Sequence, residues 1–275
     1  YIYNYIIVCL KRCKFEVVQG NDIVFRTINL VDEVFIFKEK SMLGFVFDVD
    51  DTLYEQIVPF RDAYNKLFEH KVDMEKLYCL SRYYSEVKYE DSRNGNMTVD
   101  EYHIYRVKQA AKDLNIILSD EEALNFQKEY KKNQGRLEMT ELTKSILDYS
   151  LGNNIKLAVI TNGPSNHQWS KVKVLGVENW IHKDNIVVSG DLGINKPDKR
   201  IFEHVEEKLE LNKNQLFFIG DSLENDVIGA NNADWNIIWI NRYNQKLPKG
   251  AKVYKEVKNN EELFTELKKI AEERL

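Results

Sequence analysis

Two acidic motifs in this 275-residue chain each follow a short apolar run, an arrangement that suits the binding of a metal ion. The run 44–47 ends at Asp48, and Asp50 follows two residues later, so both carboxylates can face one pocket once the chain turns. A second apolar run ends at Asp221, and Asp226 lies five residues further on. Carboxylate oxygens at this spacing suit Mg²⁺, which is typically bound through one or two carboxylates and several waters. The competing interpretation of Asp221 or Asp226 is an acid that caps the start of a helix.

Two further motifs supply groups that can hold a phosphoryl group. Thr161, Asn162 and Gly163 follow an apolar run, and a hydroxyl with exposed backbone amides can bind phosphoryl oxygens and stabilise transition-state charge. Lys196, just before Pro197, can neutralise both a carboxylate and an anionic substrate. Taken singly, the first motif is typical of an ordinary turn and the second of a solvated lysine. Four such motifs in this order have no structural reason to coincide, and together they indicate one site.

The stretches around these motifs predict the elements that must position them. Strands are predicted at residues 44–48, 155–160, 186–188, 216–219 and 237–240, and helices at 167–175, 198–209, 224–232 and 261–270. Such alternation predicts an α/β fold with a three-layer, Rossmann-like parallel sheet core. Pro197 suits the first turn of the helix that follows it. All four motifs then lie at the carboxyl ends of strands, where an open parallel sheet places its ligands.

Residues 58–150 show only helical patterning and predict an inserted bundle of four or five helices. Two capping boxes are predicted, at Thr98 with Glu101 and at Ser119 with Glu122. Breaks between helices are expected at residues 94–96 and 133–135. We therefore expect an inserted α-helical cap domain at 58–139 and an α/β core domain formed by 42–57 and 140–275.

The first 41 residues form an N-terminal extension of uncertain status, since they carry no catalytic pattern. The favoured interpretation makes Met42, just before the first strand, the natural start, with translated upstream sequence ahead of it. The alternative is a genuine extension, because residues 22–37 contain β-prone types that could form a short hairpin.

Composition indicates an ordinary globular chain, with a formal net charge of −5 and both signs mixed along the sequence. A clustered basic face, as nucleic-acid binding requires, is not found. Cys9, Cys13 and Cys79 match no metal-binding spacing and are expected to be free thiols in a reducing compartment. No apolar run reaches the roughly 18 residues that span a bilayer. The resulting expectation is a cytoplasmic protein with no membrane partner.

The motifs resemble those of the haloacid dehalogenase (HAD) superfamily of phosphohydrolases, over about residues 43–275. Residues 48–52 are similar to its first motif, Thr161 to its second and Lys196 to its third. Residues 220–221 with Asp226 are similar to its fourth. The helical insertion resembles the family's C1-type cap.

Two finer features bear on the branch and on the metal. Residues 239–241 followed by 248–250 resemble the branch of pyrimidine 5′-nucleotidases and N-acylneuraminate-9-phosphatases. Asp51 stands where the family usually has glycine, and the resemblance gives it no catalytic role. Its extra negative charge near the metal is expected to change metal affinity relative to that of relatives.

The resemblance implies a two-step phosphoryl transfer. Asp48 is the implied nucleophile, which forms an aspartyl-phosphate, and Asp50 is the implied acid and base. Mg²⁺ is implied as the cofactor, held by Asp48, the main-chain carbonyl of Asp50 and Asp221. Asp226 and Asn225 are expected to orient metal-bound waters. In addition, Thr161, the Asn162 amide and Lys196 are expected to hold the phosphoryl oxygens of the substrate.

The expected function is therefore a Mg²⁺-dependent phosphatase that acts on a small phosphorylated metabolite. Haloacid dehalogenases resemble this core but lack an acid at the position of Asp50, and they need no metal. A phosphomutase or a sugar-phosphate phosphatase with the same core remains an alternative, and a non-catalytic binding module is a more distant one. The resemblance alone favours a nucleoside 5′-monophosphate as substrate. The oligomeric state stays open.

Specificity is expected to lie in the insertion, which closes over the leaving group. One basic cluster could attract anions or be a solvated helix face, and it comprises Lys128, Lys131, Lys132 and Arg136. Five tyrosines could stack on a base or pack between helices, namely Tyr83, Tyr84, Tyr89, Tyr102 and Tyr105.

Overall fold

A computed structural model describes residues 42–69 and 71–275, together with the backbone of four strands nearer the start of the chain. The chain divides into two compact units. The first comprises residues 1–42 and 274–275, and the second comprises Leu43–Glu273. No helix among the described residues is both long enough and apolar enough to cross a membrane.

The first unit contains two antiparallel strand pairs. Its strands are β1 (Tyr5–Ile7), β2 (Cys13–Gln19), β3 (Asp22–Ile28) and β4 (Ile36–Lys38). β2 pairs with β3 along its whole length, from Cys13 opposite Ile28 to Gln19 opposite Asp22. β1 pairs with β4. The prediction of a hairpin within residues 22–37 is therefore wrong in its partners, because β3 and β4 each pair with an earlier strand.

The second unit is built on a six-stranded parallel sheet. Its strands are β5 (Gly44–Phe47), β6 (Lys156–Thr161), β7 (Ile186–Val188), β8 (Leu216–Gly220), β9 (Asn236–Ile240) and β10 (Lys255–Val257). Their order across the sheet is β10-β9-β8-β5-β6-β7. All five predicted strands are present within a residue or two of their expected bounds. β10 was not predicted from the sequence, because this edge strand buries only Val257 of its three residues and lacks an apolar run.

Of the five helices between β5 and β6 in the described chain, the first four, α1 to α4, form the insertion. They are α1 (Ile57–Leu67), α2 (Met74–Arg93), α3 (Val99–Asp113) and α4 (Asp120–Asn133), and a short 3₁₀ turn (Gln134–Arg136) follows. Both predicted capping boxes are confirmed, with the side-chain and backbone bonds present at Thr98 and at Ser119. The helices enclose their own core, in which Phe60 makes edge contacts with Tyr78 and Phe126.

The remaining helices cover the sheet. They are α5 (Glu141–Gly152), α6 (Ser165–Leu175), α7 (Ser189–Leu192), α8 (Lys199–Leu209), α9 (Ile228–Asn232) and α10 (Asn260–Arg274). Three 3₁₀ turns lie at Val177–Asn179, Lys183–Asn185 and Lys213–Gln215. Val46 and Phe218 from neighbouring strands pack with Phe202 of α8 in one buried cluster. This is the α/β, Rossmann-like core that the alternating pattern predicts.

Two helix starts differ from expectation. Asp198 caps α8 by accepting a hydrogen bond from the Arg200 amide (3.0 Å), so Pro197 precedes the cap and is not in the first turn. A π-type turn at Leu223–Val227 leads into α9, and there the Val227 amide bonds to the Ser222 carbonyl, five residues back.

Candidate active site

The carboxyl ends of three neighbouring strands bring the acidic and hydroxyl motifs to one rim of the sheet. In the register of the sheet, Phe47 of β5 lies between Val159 of β6 and Ile219 of β8. Asp48 continues this pairing, since its amide donates to the Ile219 carbonyl at 2.9 Å. Asp48, Thr161 and Asp221 therefore leave adjacent strands at nearly the same level.

Three carboxylates meet at this rim. One carboxylate oxygen from each of Asp48, Asp221 and Asp226 lies within 4.8 Å of the other two. Asp226 is fully buried, and Asp48 is 6% exposed. Such close like charges repel in a poorly solvated site, so a bound cation would stabilise the cluster. The structure thus brings together Asp48 and Asp221, the two side chains predicted to bind Mg²⁺ directly, and Asp226, which is predicted to orient its water ligands.

Lys196 lies between two of these carboxylates. Its ammonium is 2.7 Å from Asp48 Oδ1 and 2.7 Å from Asp226 Oδ1, and it also donates to the Ile160 carbonyl at 3.1 Å. Burial disfavours the charged ammonium, yet Asp226 and Asp48 hold the pKa of Lys196 above its usual value. Burial raises the pKa of Asp48 to about 7, against the opposing effect of Lys196. The predicted cation is thus a buried partner of the acids and not a solvated lysine.

Thr161 presents a hydroxyl suited to a ligand. Its side chain is buried, and Thr161 Oγ1 finds no hydrogen-bond partner among the residues that the structure describes. A buried hydroxyl without a partner is costly, so an oxygen of a bound phosphoryl group would supply what is missing. The side-chain amide of Asn162 binds the backbone of Lys196. Its Nδ2 donates to the Lys196 carbonyl and its Oδ1 accepts from the Lys196 amide, each at 2.9 Å. The main-chain amide of Asn162 is the group that the prediction assigned to phosphoryl binding.

Asp50 stands apart from the carboxylate cluster. Both of its carboxylate oxygens are 2.7 Å from Lys171 Nζ, and it also accepts from Gln56 (2.8 Å), Gln168 (3.3 Å) and the Tyr54 hydroxyl. Burial opposes ionisation of this group, but the Lys171 ammonium together with the hydrogen bonds from Tyr54 and Gln168 holds the pKa of Asp50 well below its usual value. The expected metal contact of Asp50 is made by its main-chain carbonyl. Its side chain lies outside the carboxylate cluster and is available for other chemistry.

Asp51 is the hub of a second network. It is buried and adopts a left-handed backbone conformation (φ 56°), which asparagine and aspartate tolerate better than most residues. Its carboxylate accepts from the Gln56 amide at 2.7 Å, from the Tyr78 hydroxyl and from the Arg82 guanidinium (2.5 Å). Arg82 Nη1 is also 3.3 Å from Asp221 Oδ2. Asp51 thus links the turn after β5 to helix α2 of the insertion.

The start of the helix after β8 fixes Asp226. Ser222 is the cap, since its hydroxyl accepts from the Asn225 amide at 3.2 Å, so Asp221 has no capping role. Asp226 Oδ2 accepts from the Ser222 amide at 2.9 Å while Oδ1 binds Lys196. Asp226 therefore supports the helix start and completes the buried acidic cluster.

The charges in contact here fit a divalent cation. Five carboxylates take part, those of Asp48, Asp50, Asp51, Asp221 and Asp226. Three cations contact them, namely Arg82, Lys171 and Lys196. With all five carboxylates ionised, as a bound cation would favour, five negative and three positive charges leave a net charge of −2. Hard oxygen donors with two uncompensated negative charges suit Mg²⁺ in kind and in charge.

Six residues whose side chains bind these carboxylates were not predicted from the sequence, namely Tyr54, Gln56, Tyr78, Arg82, Gln168 and Lys171. The buried face of α6 comprises residues 168, 171, 172 and 175, a helical spacing at which apolar residues are expected. Gln168 and Lys171 are polar exceptions on that face, and this mismatch could have indicated their role. Tyr78 and Arg82 carry no comparable pattern.

The basic cluster and three of the five tyrosines of the insertion fit the purely structural interpretations given for them. The four residues of the basic cluster are all exposed, as a solvated helix face requires. Tyr84 packs edge-on against Tyr105, and the Tyr102 hydroxyl donates to the Ser85 carbonyl at 3.2 Å, so these three pack between helices. Tyr83 and Tyr89 are about half exposed.

Comparison with known proteins gives the family. A family model described as haloacid dehalogenase-like hydrolase matches residues 42–234. The pyrimidine 5′-nucleotidase YjjG of Escherichia coli is 31% identical over 98 residues, which is 35% of this chain and 43% of that protein. The N-acylneuraminate-9-phosphatase of Rattus norvegicus is 31% identical over 34% of this chain and 37% of that protein. The chain thus spans less than half the length of these two relatives.

Solved structures share the fold over a greater length. A magnesium-bound HAD-hydrolase of Bacillus subtilis, YfnB, superposes with a TM-score of 0.61 at 23% identity, covering 83% of this chain and 99% of that one. The L-2-haloacid dehalogenase of Xanthobacter autotrophicus gives a TM-score of 0.61 at 15% identity, covering 82% of this chain and 98% of that one. At these identities the likeness establishes the fold and leaves the reaction to be argued from the site.

Proposed function

The chain belongs to the haloacid dehalogenase-like hydrolase family, and on that premise we propose that it is a Mg²⁺-dependent phosphate-monoester hydrolase. The observation that carries the proposal is the meeting of Asp48, Asp221 and Asp226, with the Lys196 ammonium bound to Asp48 and Asp226. A nucleophilic carboxylate, further acidic groups and a buried cation are the parts that phosphoryl transfer needs, since its catalysis is mainly positioning and charge stabilisation. The names of the two relatives described above, a pyrimidine 5′-nucleotidase and an N-acylneuraminate-9-phosphatase, support the same reaction.

In the proposed reaction Asp48 attacks phosphorus and displaces the leaving oxygen of the substrate. The product of this step is an aspartyl-phosphate, which divides one difficult displacement into two easier ones. Water then attacks the phosphorus of the intermediate, and inorganic phosphate and free Asp48 are regenerated. Thr161, the Asn162 main-chain amide and Lys196 hold the phosphoryl oxygens in place.

Asp50 is proposed to handle the protons. It gives a proton to the leaving oxygen in the first step and takes one from water in the second. The donors that surround it in this structure, Lys171 foremost, favour its ionised form and so suit the second step. For the first step it must first acquire a proton.

Mg²⁺ is proposed to be held by Asp48, the Asp50 main-chain carbonyl and Asp221. When bound, it lowers the repulsion between the anionic nucleophile and the phosphate. Asp226 and Asn225 are proposed to orient the water ligands of the ion. Asp226 is well placed for this, because two hydrogen bonds, from Lys196 and from the Ser222 amide, fix its carboxylate.

The alternatives differ from this proposal in identifiable groups. A haloacid dehalogenase needs neither the acid Asp50 nor a metal, and here Asp50 is held by four side chains beside a site with two uncompensated negative charges. A phosphomutase or a sugar-phosphate phosphatase could use the same residues. The nucleoside 5′-monophosphate is proposed as substrate on the name of the nucleotidase relative alone. Cytoplasmic location stays a prediction.

The proposal is tested with Asp48→Asn and p-nitrophenyl phosphate. The substitution removes the nucleophilic charge with little change of volume, so we expect turnover to fall by at least about 10³-fold while the melting temperature stays within a few degrees. Asp184→Asn is the matched control, since Asp184 has a side chain 71% exposed and lies away from the site. Wild-type turnover by Asp48→Asn would rule out the assigned nucleophile.

The metal and the substrate are tested with the unaltered chain. We expect hydrolysis to cease in excess EDTA and to return when Mg²⁺ is added. A panel of nucleotides, sugar phosphates and acyl-sugar phosphates then ranks substrates by kcat/KM. Release of inorganic phosphate supports a phosphatase, whereas conversion of a sugar phosphate to its positional isomer without phosphate release would make the chain a phosphomutase.

A further inference from the structure

We propose that Asp51 and Arg82 form a charge-compensated pair that sets the affinity of the neighbouring carboxylate cluster for a divalent cation. Arg82 belongs to the insertion, and Asp51 belongs to the turn after β5. The inference rests on the proposed function, because it concerns the same metal site. It assigns a positioning role to two residues that do not take part in the proposed chemistry.

The guanidinium of Arg82 stands at the edge of the cluster. Its Nη1 atom contacts Asp51 Oδ2 at 2.5 Å and lies 3.3 Å from Asp221 Oδ2. Asp221 is one of the three carboxylates within 4.8 Å of one another. A permanently charged guanidinium at that distance from a metal ligand repels an incoming cation and competes for the ligand's oxygen. Arg82 alone would therefore oppose metal binding.

Asp51 is placed to cancel that effect. Its contact with Arg82 is shorter than the contact between Arg82 and Asp221, so the guanidinium is drawn towards Asp51. The Gln56 amide (2.7 Å) and the Tyr78 hydroxyl hold the Asp51 carboxylate in place. The Asp51 side chain is only 1% exposed and that of Arg82 is 29% exposed, so water screens the carboxylate poorly and reaches only part of the guanidinium. The charges of Asp51 and Arg82 thus largely cancel at the position of the carboxylate cluster.

The backbone at position 51 bears on which residues can stand there. Position 51 has a left-handed backbone (φ 56°), a conformation that glycine adopts without strain. A glycine here would leave Arg82 with Asp221 as its nearest carboxylate. The sequence-based expectation was that Asp51 adds negative charge near the metal. Arg82 pairs with this carboxylate, so we infer that the net effect on the cluster depends on both residues.

The experiment measures the dissociation constant of Mg²⁺ alone by isothermal titration calorimetry on the full chain, with no substrate present. Asp51→Asn keeps a residue that tolerates a left-handed backbone but leaves Arg82 uncompensated, so we expect Mg²⁺ to bind at least about tenfold more weakly. Arg82→Met removes the repelling charge, and Mg²⁺ should bind as tightly as in the wild type or more tightly. The double variant should return to within about threefold of the wild type.

Arg93→Met is the matched control, because Arg93 lies on the same helix with a side chain 55% exposed and pairs with Glu90. It should leave Mg²⁺ affinity unchanged. Unaltered affinity in Asp51→Asn, or no recovery in the double variant, would overturn the inference. If Asp51→Asn does not fold, Arg82→Met decides alone, because weaker Mg²⁺ binding there would mean that Arg82 supports Asp221 and does not oppose the ion.

The outcomes also separate this inference from the proposed function. A wild-type chain that binds Mg²⁺ but hydrolyses no phosphate ester contradicts the proposed function and leaves the charge-pair test intact. A wild-type chain that hydrolyses phosphate esters with Mg²⁺, and whose affinity for the ion is indifferent to Asp51→Asn, contradicts only the charge pair.

Discussion

Two buried lysines bind three of the five acidic residues of the site. Lys196 holds Asp48 and Asp226, whereas Lys171 holds Asp50 through both of its carboxylate oxygens. Each lysine side chain is at most 4% exposed, so water screens these ion pairs poorly and each lysine holds its carboxylates in a fixed geometry. The first lysine serves the cluster proposed to bind metal, and the second serves the proposed acid and base.

Lys171→Met tests whether Lys171 positions Asp50. We expect kcat for p-nitrophenyl phosphate to fall roughly 10- to 100-fold, part of the 10²–10⁴ that a positioned acid and base contributes, with KM nearly unchanged. Lys171→Arg, which can still pair with the carboxylate, should recover most of the loss. Steady-state kinetics with a parallel thermal melt distinguishes this effect from unfolding.

Lys173→Met is the control for Lys171→Met, since Lys173 is an exposed lysine of the same helix. It should leave both kinetic constants unchanged. A fall in kcat that Lys171→Arg does not recover, or a rise in KM alone, would contradict a positioning role towards Asp50.

At the scale of elements, the helices of the insertion are defined by their ends. At α3, the Glu101 amide donates to the Thr98 hydroxyl at 3.2 Å and the Glu101 carboxylate accepts from the Thr98 amide at 2.8 Å. Ser119 and Glu122 repeat the arrangement at α4. These bonds satisfy backbone donors that the first turn of a helix leaves without partners.

Thr98→Ala should lower the free energy of unfolding by about 1 kcal/mol, because it removes the side-chain half of the capping box. Urea denaturation followed by circular dichroism measures the change. Thr265→Ala is the control, since the Thr265 hydroxyl bonds to the Glu261 carbonyl inside α10 and caps no helix end. Equal effects of the two substitutions would mean that the capping bonds add no stability.

Elements with local patterns could be predicted from the sequence, and those without could not. The buried strands β5, β6 and β8 are continuous apolar runs, and the capping boxes are pairs three residues apart. β10 has the sequence Lys-Glu-Val and pairs only along one side, with β9, so no run reveals it. The π-type turn at Leu223–Val227 depends on Ser222 and Asp226 acting together, which no propensity encodes.

For the molecule as a whole, the site depends on contacts between residues far apart in sequence. Lys196 meets Asp48 across 148 positions, and Lys171 meets Asp50 across 121. The first convergence could be predicted, because both residues follow motifs placed at the same edge of a parallel sheet. The second could not, because Lys171 reaches the rim from within a helix. Arg82 likewise reaches it from the insertion, whose packing on the core no local pattern specifies.

The whole-molecule prediction concerns residues 1–41. Every side chain assigned to the site lies within the unit Leu43–Glu273, so a chain that begins at Met42 should keep the kcat and Mg²⁺ affinity of the full chain. Both chains are to be compared by steady-state kinetics and calorimetry at equal concentration. A loss of activity with an unchanged melting curve would show that the leading residues contribute to the site.

The glycine that ends β8 has a consequence for how this site can vary. A Cβ built on Gly220 would overlap the carboxylate of Asp226, which occupies the space where a side chain would stand. Even the methyl group of alanine would displace the Asp226 carboxylate from the Lys196 ammonium and the Ser222 amide. Because Lys196 also binds Asp48, the displacement would extend to Asp48. The absence of a side chain at position 220 is therefore as much a component of this centre as any of its charges, because it leaves the space in which the Asp226 carboxylate lies.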